Sequence, residues 1–383
     1  MDPADRPPSN PDARAHPPLR VGTLGRLGWL WSAAARGLRA PGKGTAAAVA
    51  LTAVRAMGRL GLALDPVWSG RLRRTTLGPP VVIVGNPRSG TTFLQRFLVE
   101  QRVGCGRQVW QMVYPSLTQQ AVLRPLLPLL ERVSPTRYHT SAAHKTGLTY
   151  VETDDVSALF RFTDGFFLYA FFLAHHDRHL LDFFDPTRRD VTARDFDWFE
   201  QLWRRSQVAH DMHRVVAKVF GLGTCMPAFQ ARFPEARVLY MARDPASTLP
   251  SAMSLVTGVL DAAFGFWSLP EAHRRRYLDR LYGGLVMLLN RFTDDWTTGR
   301  IDRSRVFVVP FPRLMGDFDG LMTKALDFVG HPIDDALAAT LTARAQTQRA
   351  YQSPHDYDLA RFGLDAARIR ADTTRFTEAF LHG

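Results

Sequence analysis

Short apolar runs alternate along the chain with longer segments in which apolar residues recur at helical spacing. The short runs are rich in β-branched residues, and this composition predicts buried strands. The longer segments predict helices. The predicted strands are 81–84, 215–220, 238–242 and 306–309. Two helices are predicted to begin at Thr91 and Pro245, and two more are predicted over 271–297 and 317–330. This order predicts an α/β fold in which a parallel sheet carries helices on both faces.

The first 74 residues do not follow this alternation. Residues 1–20 are rich in Pro, Asp and Arg, a composition that predicts a disordered tail. Residues 21–74 predict a basic, amphipathic, helical extension that precedes a domain over residues 75–383. No stretch of about 18 apolar residues in this extension is free of charge, so we do not predict a membrane span. Such a helix can lie on a membrane surface or cover the core of the next domain, and the sequence leaves both alternatives open.

The turn between the first predicted strand and the helix that follows it resembles an anion-binding site. Gly85 and Gly90 have the spacing of the P-loop motif G-x-x-x-x-G-K-[ST], and Thr92 holds its hydroxyl position. A turn of this kind points backbone N–H groups and the positive end of a helix at a phosphate. Thr91 replaces the lysine of the motif, however, and the basic residue is Arg88. Because cleavage of a triphosphate with Mg²⁺ needs that lysine, the P-loop-like turn better suits one 5′-phosphate bearing a singly charged sulfuryl group.

A second anion-binding pattern follows the third predicted strand. Arg243 leaves the end of strand 238–242, Pro245 can open a helix, and Ser251 lies in the first turns of that helix. A guanidinium fork together with a hydroxyl suits a phosphate dianion. Because ligands of such sheets bind at the carboxyl ends of the strands, both patterns are expected at the same edge of the sheet.

Four further charged residues are candidates for chemistry. Three carboxylates, Glu152, Asp154 and Asp155, precede an apolar run, where they are either acids at a helix N-terminus or a general base. Lys218 interrupts the apolar run 215–220. Because burial of an unpaired ammonium is costly, this lysine either faces an anion or reaches solvent at the sheet edge.

At these residues the chain resembles the bacterial branch of the sulfotransferase superfamily that uses 3′-phosphoadenosine 5′-phosphosulfate (PAPS). P-R-S-G-T-T-F-L at 87–94 is similar to the family's 5′-phosphosulfate loop, and R-x-P-x-x-x-x-x-S at 243–251 is similar to its 3′-phosphate motif. The resemblance covers residues 80–365 and implies PAPS as co-substrate, without a metal. The implied nucleotide-binding residues are Arg88, Ser89, Gly90, Thr91, Thr92, Phe93, Arg243 and Ser251, with Phe93 stacked on adenine.

The resemblance also implies catalytic roles. Arg88, helped by Lys218, would stabilise the charge that develops on the leaving group. Glu152 would take the proton of the acceptor as the leading general base. The other candidates for the base are Asp154, Asp155 and His144.

The implied reaction transfers a sulfuryl group to a hydroxyl, or an amine, of a small acceptor. Residues 160–184 are unusually aromatic. We expect most of this segment in the core and part of it in an acceptor pocket, which favours an apolar or lipid-like acceptor. Two other functions stay open: a nucleotide-dependent phosphotransferase, and a non-catalytic nucleotide-binding protein on a membrane surface.

The composition of the chain limits the classes of partner and the cellular compartment that we expect. The formal net charge of +12 favours anionic partners, but we find no reader motif for nucleic acid and do not expect nucleic acid as a partner. Cys105 and Cys225 lack metal or redox spacing, which fits a reducing compartment. We therefore expect a cytoplasmic protein, and a peripheral membrane contact through residues 21–64 stays one of the two alternatives for the extension. His175 and His179 have i,i+4 spacing but lack the glutamate of a zinc motif, so we expect no metal site.

Overall fold

The computed structural model describes residues 19–133, 147–349 and 358–381. Residues 1–18 of the predicted tail and the candidate base His144 lie outside the described residues. The strands are β1 (Val81–Val84), β2 (Val216–Lys218), β3 (Arg237–Ala242) and β4 (Val306–Pro310). The α-helices are, in chain order, α1 (Thr23–Ser32), α2 (Pro41–Trp68), α3 (Gly70–Arg74), α4 (Thr91–Glu100), α5 (Val109–Val113), α6 (Leu117–Leu123), α7 (Leu127–Val133), α8 (Asp155–Phe162), α9 (Thr192–His210), α10 (Met226–Arg232), α11 (Pro245–Phe264), α12 (Glu271–Thr297), α13 (Phe311–Gly316), α14 (Phe318–Phe328), α15 (Asp335–Arg349) and α16 (Ala366–Phe380).

The strands form one parallel sheet in the order β2-β1-β3-β4. From the central β1 the chain first adds β2 on one side and then β3 and β4 on the other. The connections on the two sides of β1 and β3 therefore run in opposite directions, and sheets of this kind have a ligand-binding crevice at the carboxyl ends of such strands. The loop that follows β1 and the segment that follows β3 both border this crevice, as the sequence predicts.

Strands β1, β2 and β3 are buried on both of their faces, and the edge strand β4 is partly buried. Successive side chains of a strand point to opposite sides, so alternate residues enter two different cores. One core takes Val82, Val84, Val238 and Tyr240, and the other takes Val81, Ile83, Leu239 and Met241. Burial on both faces explains why the strands read as continuous apolar runs rather than alternating ones. The predicted α/β fold with helices on both faces of a parallel sheet is confirmed.

Two predicted boundaries are wrong in detail. The predicted strand 215–220 ends at Lys218, because the N–H groups of Phe220 and Gly221 donate to the carboxylate of Asp155 rather than to a neighbouring strand. The predicted helix 317–330 is the shorter α14, and the separate helix α13 precedes it.

The N-terminal extension packs one face of α2 against the domain. Asp65 is fully buried there and accepts hydrogen bonds from Ser116 Oγ at 2.6 Å, Thr118 N at 3.0 Å and Arg205 Nε at 2.7 Å. A Cβ at Gly61 would lie 2.8 Å from the side chains of Ser116 and Gln119, so glycine permits this close approach. This face of α2 therefore covers the domain. By length and composition alone α2 would also suffice to cross a membrane.

The buried ion pair between Asp65 and Arg205 predicts a large loss of stability on substitution. We expect Asp65→Ala to lower the free energy of unfolding by about 3–5 kcal/mol, because the guanidinium of Arg205 would stay buried without its counter-charge. Urea denaturation measures this loss. The control is Asp279→Ala, whose exposed carboxylate pairs with Arg368 at 3.2 Å and should contribute less than about 1 kcal/mol. Equal losses for the two variants would contradict the anchoring role of Asp65.

Candidate functional site

The loop between β1 and α4 forms a backbone cradle at the crevice. Gly85 has φ +146°, Arg88 has φ +72° and Gly90 has φ +99°. A Cβ at Gly90 would lie 3.1 Å from Met241 Cε and 3.3 Å from the Phe311 ring, so a larger residue would be both strained and crowded. Gly90 is also the N-cap of α4, and no side chain caps this helix start. The first N–H groups of α4 thus have the arrangement that binds a phosphate elsewhere.

The side chains of the loop complete the cradle. The buried Ser89 donates from its hydroxyl to the carbonyl of Asn86 at 2.7 Å and thereby closes the turn. Thr91 is buried at the start of α4, and the neighbouring Thr92 is half-buried. The ring of Phe93 meets Phe318 edge-on, with 5.8 Å between the ring centroids.

Arg88 connects the two predicted anion-binding patterns. Its Nε donates to Ser251 Oγ at 3.0 Å, and its carbonyl accepts from a terminal guanidinium nitrogen of Arg243 at 2.8 Å. The Arg243 guanidinium also lies 4.0 Å above the Phe311 ring. The structure therefore brings Arg88, Arg243 and Ser251 together. Sequence reasoning did not find the left-handed backbone of Arg88, since no local pattern marks it.

Lys218 lies at the carboxyl end of β2 and is almost fully buried. Its ammonium donates to Thr92 Oγ1 at 2.8 Å and to Glu152 Oε2 at 3.0 Å. The alternative of a lysine that reaches solvent at the sheet edge is thereby excluded. One ammonium joins the loop after β1 to the acidic segment 152–155.

The three carboxylates of the acidic segment have different partners. Asp155 accepts from Thr153 Oγ1 at 2.5 Å and from the N–H groups of Phe220 and Gly221 at 2.6 and 2.9 Å, so it holds the backbone after β2. Asp154 accepts from Trp203 Nε1 at 3.1 Å in the interior. Of the three, only Glu152 bonds to the Lys218 ammonium. The geometry thus places Glu152, and not Asp154 or Asp155, beside the start of α4.

Sequence reasoning missed Arg96, which lies one helical turn beyond Thr92 on α4. Its guanidinium is 4.0 Å from Glu152 Oε1 and 5.0 Å from the centre of the Tyr150 ring. The i,i+4 spacing from Thr92 was the available signal, because residues at that spacing share a helix face. Glu152 is therefore flanked by two cations, Lys218 and Arg96.

Burial shifts the acidity of the other two carboxylates. Burial raises the pKa of Asp154 to about 6, against the attraction of Arg107 and the hydrogen bond from Trp203. Burial also raises the pKa of Asp155, although the hydrogen bonds from Thr153 and from two backbone N–H groups oppose the shift. Both residues favour the neutral acid more than an exposed aspartate does.

The aromatic segment 160–184 lies mostly in the core, as predicted. Residues of this segment help to line a cavity of about 60 Å³, which has room for water molecules but not for a lipid chain. The residues around this cavity include Phe166, Phe183, Phe184, Phe196 and Phe199. His175 stacks on Tyr277 at 3.9 Å, and its Nδ1 lies 3.0 Å from Nε2 of His273. No group of three His, Cys, Asp or Glu residues suited to a metal ion occurs within the described residues.

The chain is similar to known proteins in sequence pattern and in fold. The profile described as Sulfotransferase family matches residues 79–335. The crystal structure of sulfotransferase STF1 from Mycobacterium tuberculosis H37Rv matches with a TM-score of 0.65 at 18% identity, over 93% of this chain and 92% of that chain. Sulfotransferase STF9 from Mycobacterium avium matches with a TM-score of 0.67 at 16% identity, over 96% of this chain and 88% of that chain. At such identities the two structures are similar in fold, and no curated protein matches the sequence.

The raised pKa of Asp154 predicts a pH-dependent loss of stability. Between pH 4 and pH 6 the folded chain holds this proton more tightly than the unfolded chain, whose carboxyl group ionises near pH 3.8. The free energy of unfolding should therefore fall as the pH rises through this window, by up to about 3 kcal/mol from this one group.

The variant Asp154→Asn should lack this contribution. Urea denaturation gives the free energies of unfolding of wild type and variant at pH 4 and at pH 7. The contribution of Asp154 is the amount by which the difference between the two proteins changes from one pH to the other. Asp279→Asn, at an exposed site, is the control and should change little. A pH-independent difference for Asp154→Asn would show that this carboxyl group titrates normally.

Proposed function

This chain belongs to the sulfotransferase family, and we propose that it transfers a sulfuryl group from PAPS to a hydroxyl, or an amine, of a small, apolar or lipid-like acceptor. One observation carries the choice of donor: Arg88 bonds through its carbonyl to the Arg243 guanidinium and through its Nε to Ser251 Oγ, at the ends of β1 and β3. A nucleotide with phosphates at both its 5′ and 3′ positions needs two anion-binding groups of this kind, side by side.

The residues at the crevice fit such a donor. The uncapped start of α4 and the hydroxyls of Thr91 and Thr92 would hold the 5′-phosphosulfate, and Ser89 closes the turn that precedes them. Arg243 and Ser251 would hold the 3′-phosphate, since a guanidinium and a hydroxyl suit a dianion. For adenine, the candidate is Phe93, whose half-buried ring meets Phe318 edge-on.

The proposed chemistry is an in-line transfer. The acceptor oxygen bonds to sulfur as the bond between sulfur and the 5′-phosphate oxygen breaks, and 3′-phosphoadenosine 5′-phosphate (PAP) leaves. Glu152 takes the acceptor proton, which contributes a rate factor of roughly a hundred to ten thousand. Arg88 and Lys218 stabilise the negative charge on the leaving oxygen, and preorganised donors of this kind contribute about 3–4 kcal/mol each.

The position of Lys218 argues against a Mg²⁺-dependent phosphotransferase. In a P-loop enzyme the hydroxyl at the position of Thr92 binds the metal ion. Here this oxygen accepts a hydrogen bond from the Lys218 ammonium, so a fixed cation already lies beside the hydroxyl. A sulfuryl group carries one negative charge, which one ammonium can balance without a divalent metal ion.

The surroundings of Glu152 support an apolar acceptor. Tyr150, two residues before Glu152, has a ring that is 40% exposed, and it offers an aromatic surface beside the proposed base. We further propose that the enzyme works in the cytoplasm. Cys105 and Cys225 are both free, and neither needs oxidation for the fold.

The assignment of the 3′-phosphate site predicts a difference between two nucleotides. PAP should raise the melting temperature more than adenosine 5′-phosphate does, because only PAP has a 3′-phosphate for Arg243 and Ser251. At about a hundred times its dissociation constant, PAP should add about 2.7 kcal/mol of stability. A thermal-shift assay with PAP, adenosine 5′-phosphate, ATP, and ATP with Mg²⁺ measures this.

Two variants and one control locate the effect. Arg243→Ala and Ser251→Ala should reduce the difference between PAP and adenosine 5′-phosphate, whereas Ser254→Ala, three residues further along α11, should preserve it. Equal shifts for the two nucleotides in wild type would remove the 3′-phosphate assignment. A larger shift with ATP and Mg²⁺ than with PAP would favour the phosphotransferase.

The role of Glu152 predicts a loss of turnover without a loss of nucleotide affinity. Glu152→Gln should lower kcat by roughly a hundred- to ten-thousand-fold, because the amide cannot accept the acceptor proton. Its affinity for PAP should stay unchanged. Steady-state kinetics with an added acceptor panel and PAP titration measure the two quantities.

The matched control is Asp155→Asn. Its amide cannot accept all the hydrogen bonds of the buried carboxylate, so it should cost about 1–3 kcal/mol of stability while folded enzyme keeps its turnover. If Glu152→Gln lost stability but kept its rate, the base would have to be Asp154 or His144. Binding of PAP with no turnover on any acceptor would instead favour a non-catalytic nucleotide-binding protein.

A further inference from the structure

The outward face of α2 is an exposed apolar ridge. Its members recur at helical spacing on the side opposite the buried glycines Gly58 and Gly61. The α2 ridge consists of Val49, Ala53, Met57, Leu60, Leu64 and Val67. Leu60 is 65% exposed and Val67 is 71% exposed, and Trp68 at the helix end is 78% exposed.

A second apolar surface lies on the helices that pack beside α2. Helix α6 contacts α2, since Gln119 and Ser116 border Gly61. Beyond this contact the chain exposes Val122, Leu126 and Leu129, which we call the α6–α7 patch. Together with the α2 ridge it makes an apolar surface of a kind that marks interaction sites in soluble proteins.

The exposed charges that surround the α2 ridge have one sign, and on α7 the half-buried Glu131 accepts a hydrogen bond from Leu148 N. Every charged residue between residues 19 and 74 is Arg or Lys except Asp65, which is fully buried. Arg59 is exposed on α2 itself, and Arg124 is exposed between Val122 and Leu126. An apolar surface with a basic rim is complementary to an anionic lipid interface.

Three contacts hold α2 along its length, so the helix lies flat on the domain. Lys43 Nζ donates to the carbonyl of Ala263 at 2.5 Å near the start of α2, and Arg55 donates to Thr163 Oγ1 at 3.1 Å in its middle. Asp65 makes the buried ion pair with Arg205 near its end. A helix fixed in this way presents one side to its surroundings and cannot enter a bilayer along its axis.

We propose that the α2 ridge and the α6–α7 patch dock on the surface of an anionic lipid bilayer. The apolar side chains enter the boundary between headgroups and acyl chains, and the basic rim faces the lipid phosphates. A second copy of the chain fits this surface less well, because two copies would bring their basic rims together. This docking needs no particular role for the nucleotide site.

Vesicle co-sedimentation tests the docking directly. Wild-type protein should pellet with vesicles of phosphatidylcholine and phosphatidylglycerol, and less with phosphatidylcholine alone. The double variant Leu60→Ser/Val67→Ser should bind the mixed vesicles more than about tenfold more weakly, from the loss of two buried apolar side chains. The control Leu60→Met/Val67→Ile keeps the apolar surface and should bind like wild type.

The basic rim is tested separately with variants that preserve the apolar surface. Arg59→Gln/Arg124→Gln should lose the preference for anionic vesicles, whereas Arg370→Gln on the distant α16 should keep it. These exposed substitutions should leave the melting temperature unchanged.

Two results would overturn the proposal. One is wild-type protein that stays in the supernatant with both kinds of vesicle. The other is a dimer in light scattering that dissociates in Leu60→Ser/Val67→Ser, because a second copy would then cover the surface.

Discussion

An ammonium group buried at the carboxyl end of β2 holds three parts of the site together. Lys218 Nζ bonds to Thr92 at the start of α4 and to Glu152 of the acidic segment. Its carbonyl accepts from Asp154 N at 2.8 Å and from Thr153 Oγ1 at 3.0 Å. A buried cation is costly unless it is paired, so the position of the acidic segment and the charge of Lys218 depend on each other.

The loop between β1 and α4 depends on a second, smaller constraint. Arg88 has a left-handed backbone that costs a residue with a Cβ roughly 1–2 kcal/mol. Its carbonyl and its Nε are both engaged, by Arg243 and Ser251, and these bonds help to hold the conformation. The strained residue is therefore the one that links the loop to the segment after β3.

The sequence was sufficient for features that a local pattern encodes. Apolar runs identified the strands, and glycine spacing identified the loop between β1 and α4. In the structure, Gly90 of this loop has a positive φ. The sequence could not separate Glu152, Asp154 and Asp155, because three carboxylates within four residues look alike until the partners across the fold are known. Arg96 was missed for the same reason: its position beside Glu152 comes from the packing of α4 against a distant segment. For α2, the pattern left two alternatives, and the structure shows that one face covers the domain.

The hydrogen bond between Arg88 and Ser251 joins residues that are 163 positions apart, and the bond between Lys218 and Thr92 joins residues 126 positions apart. Contacts with such separation form late, because long loops must close before they are gained. During synthesis, these residues therefore stay apart until the segment beyond β3 has left the ribosome and β3 has joined β1. The cluster of Arg88, Ser251, Thr92 and Lys218 is a property of the completed sheet, so a nascent or truncated chain lacks it.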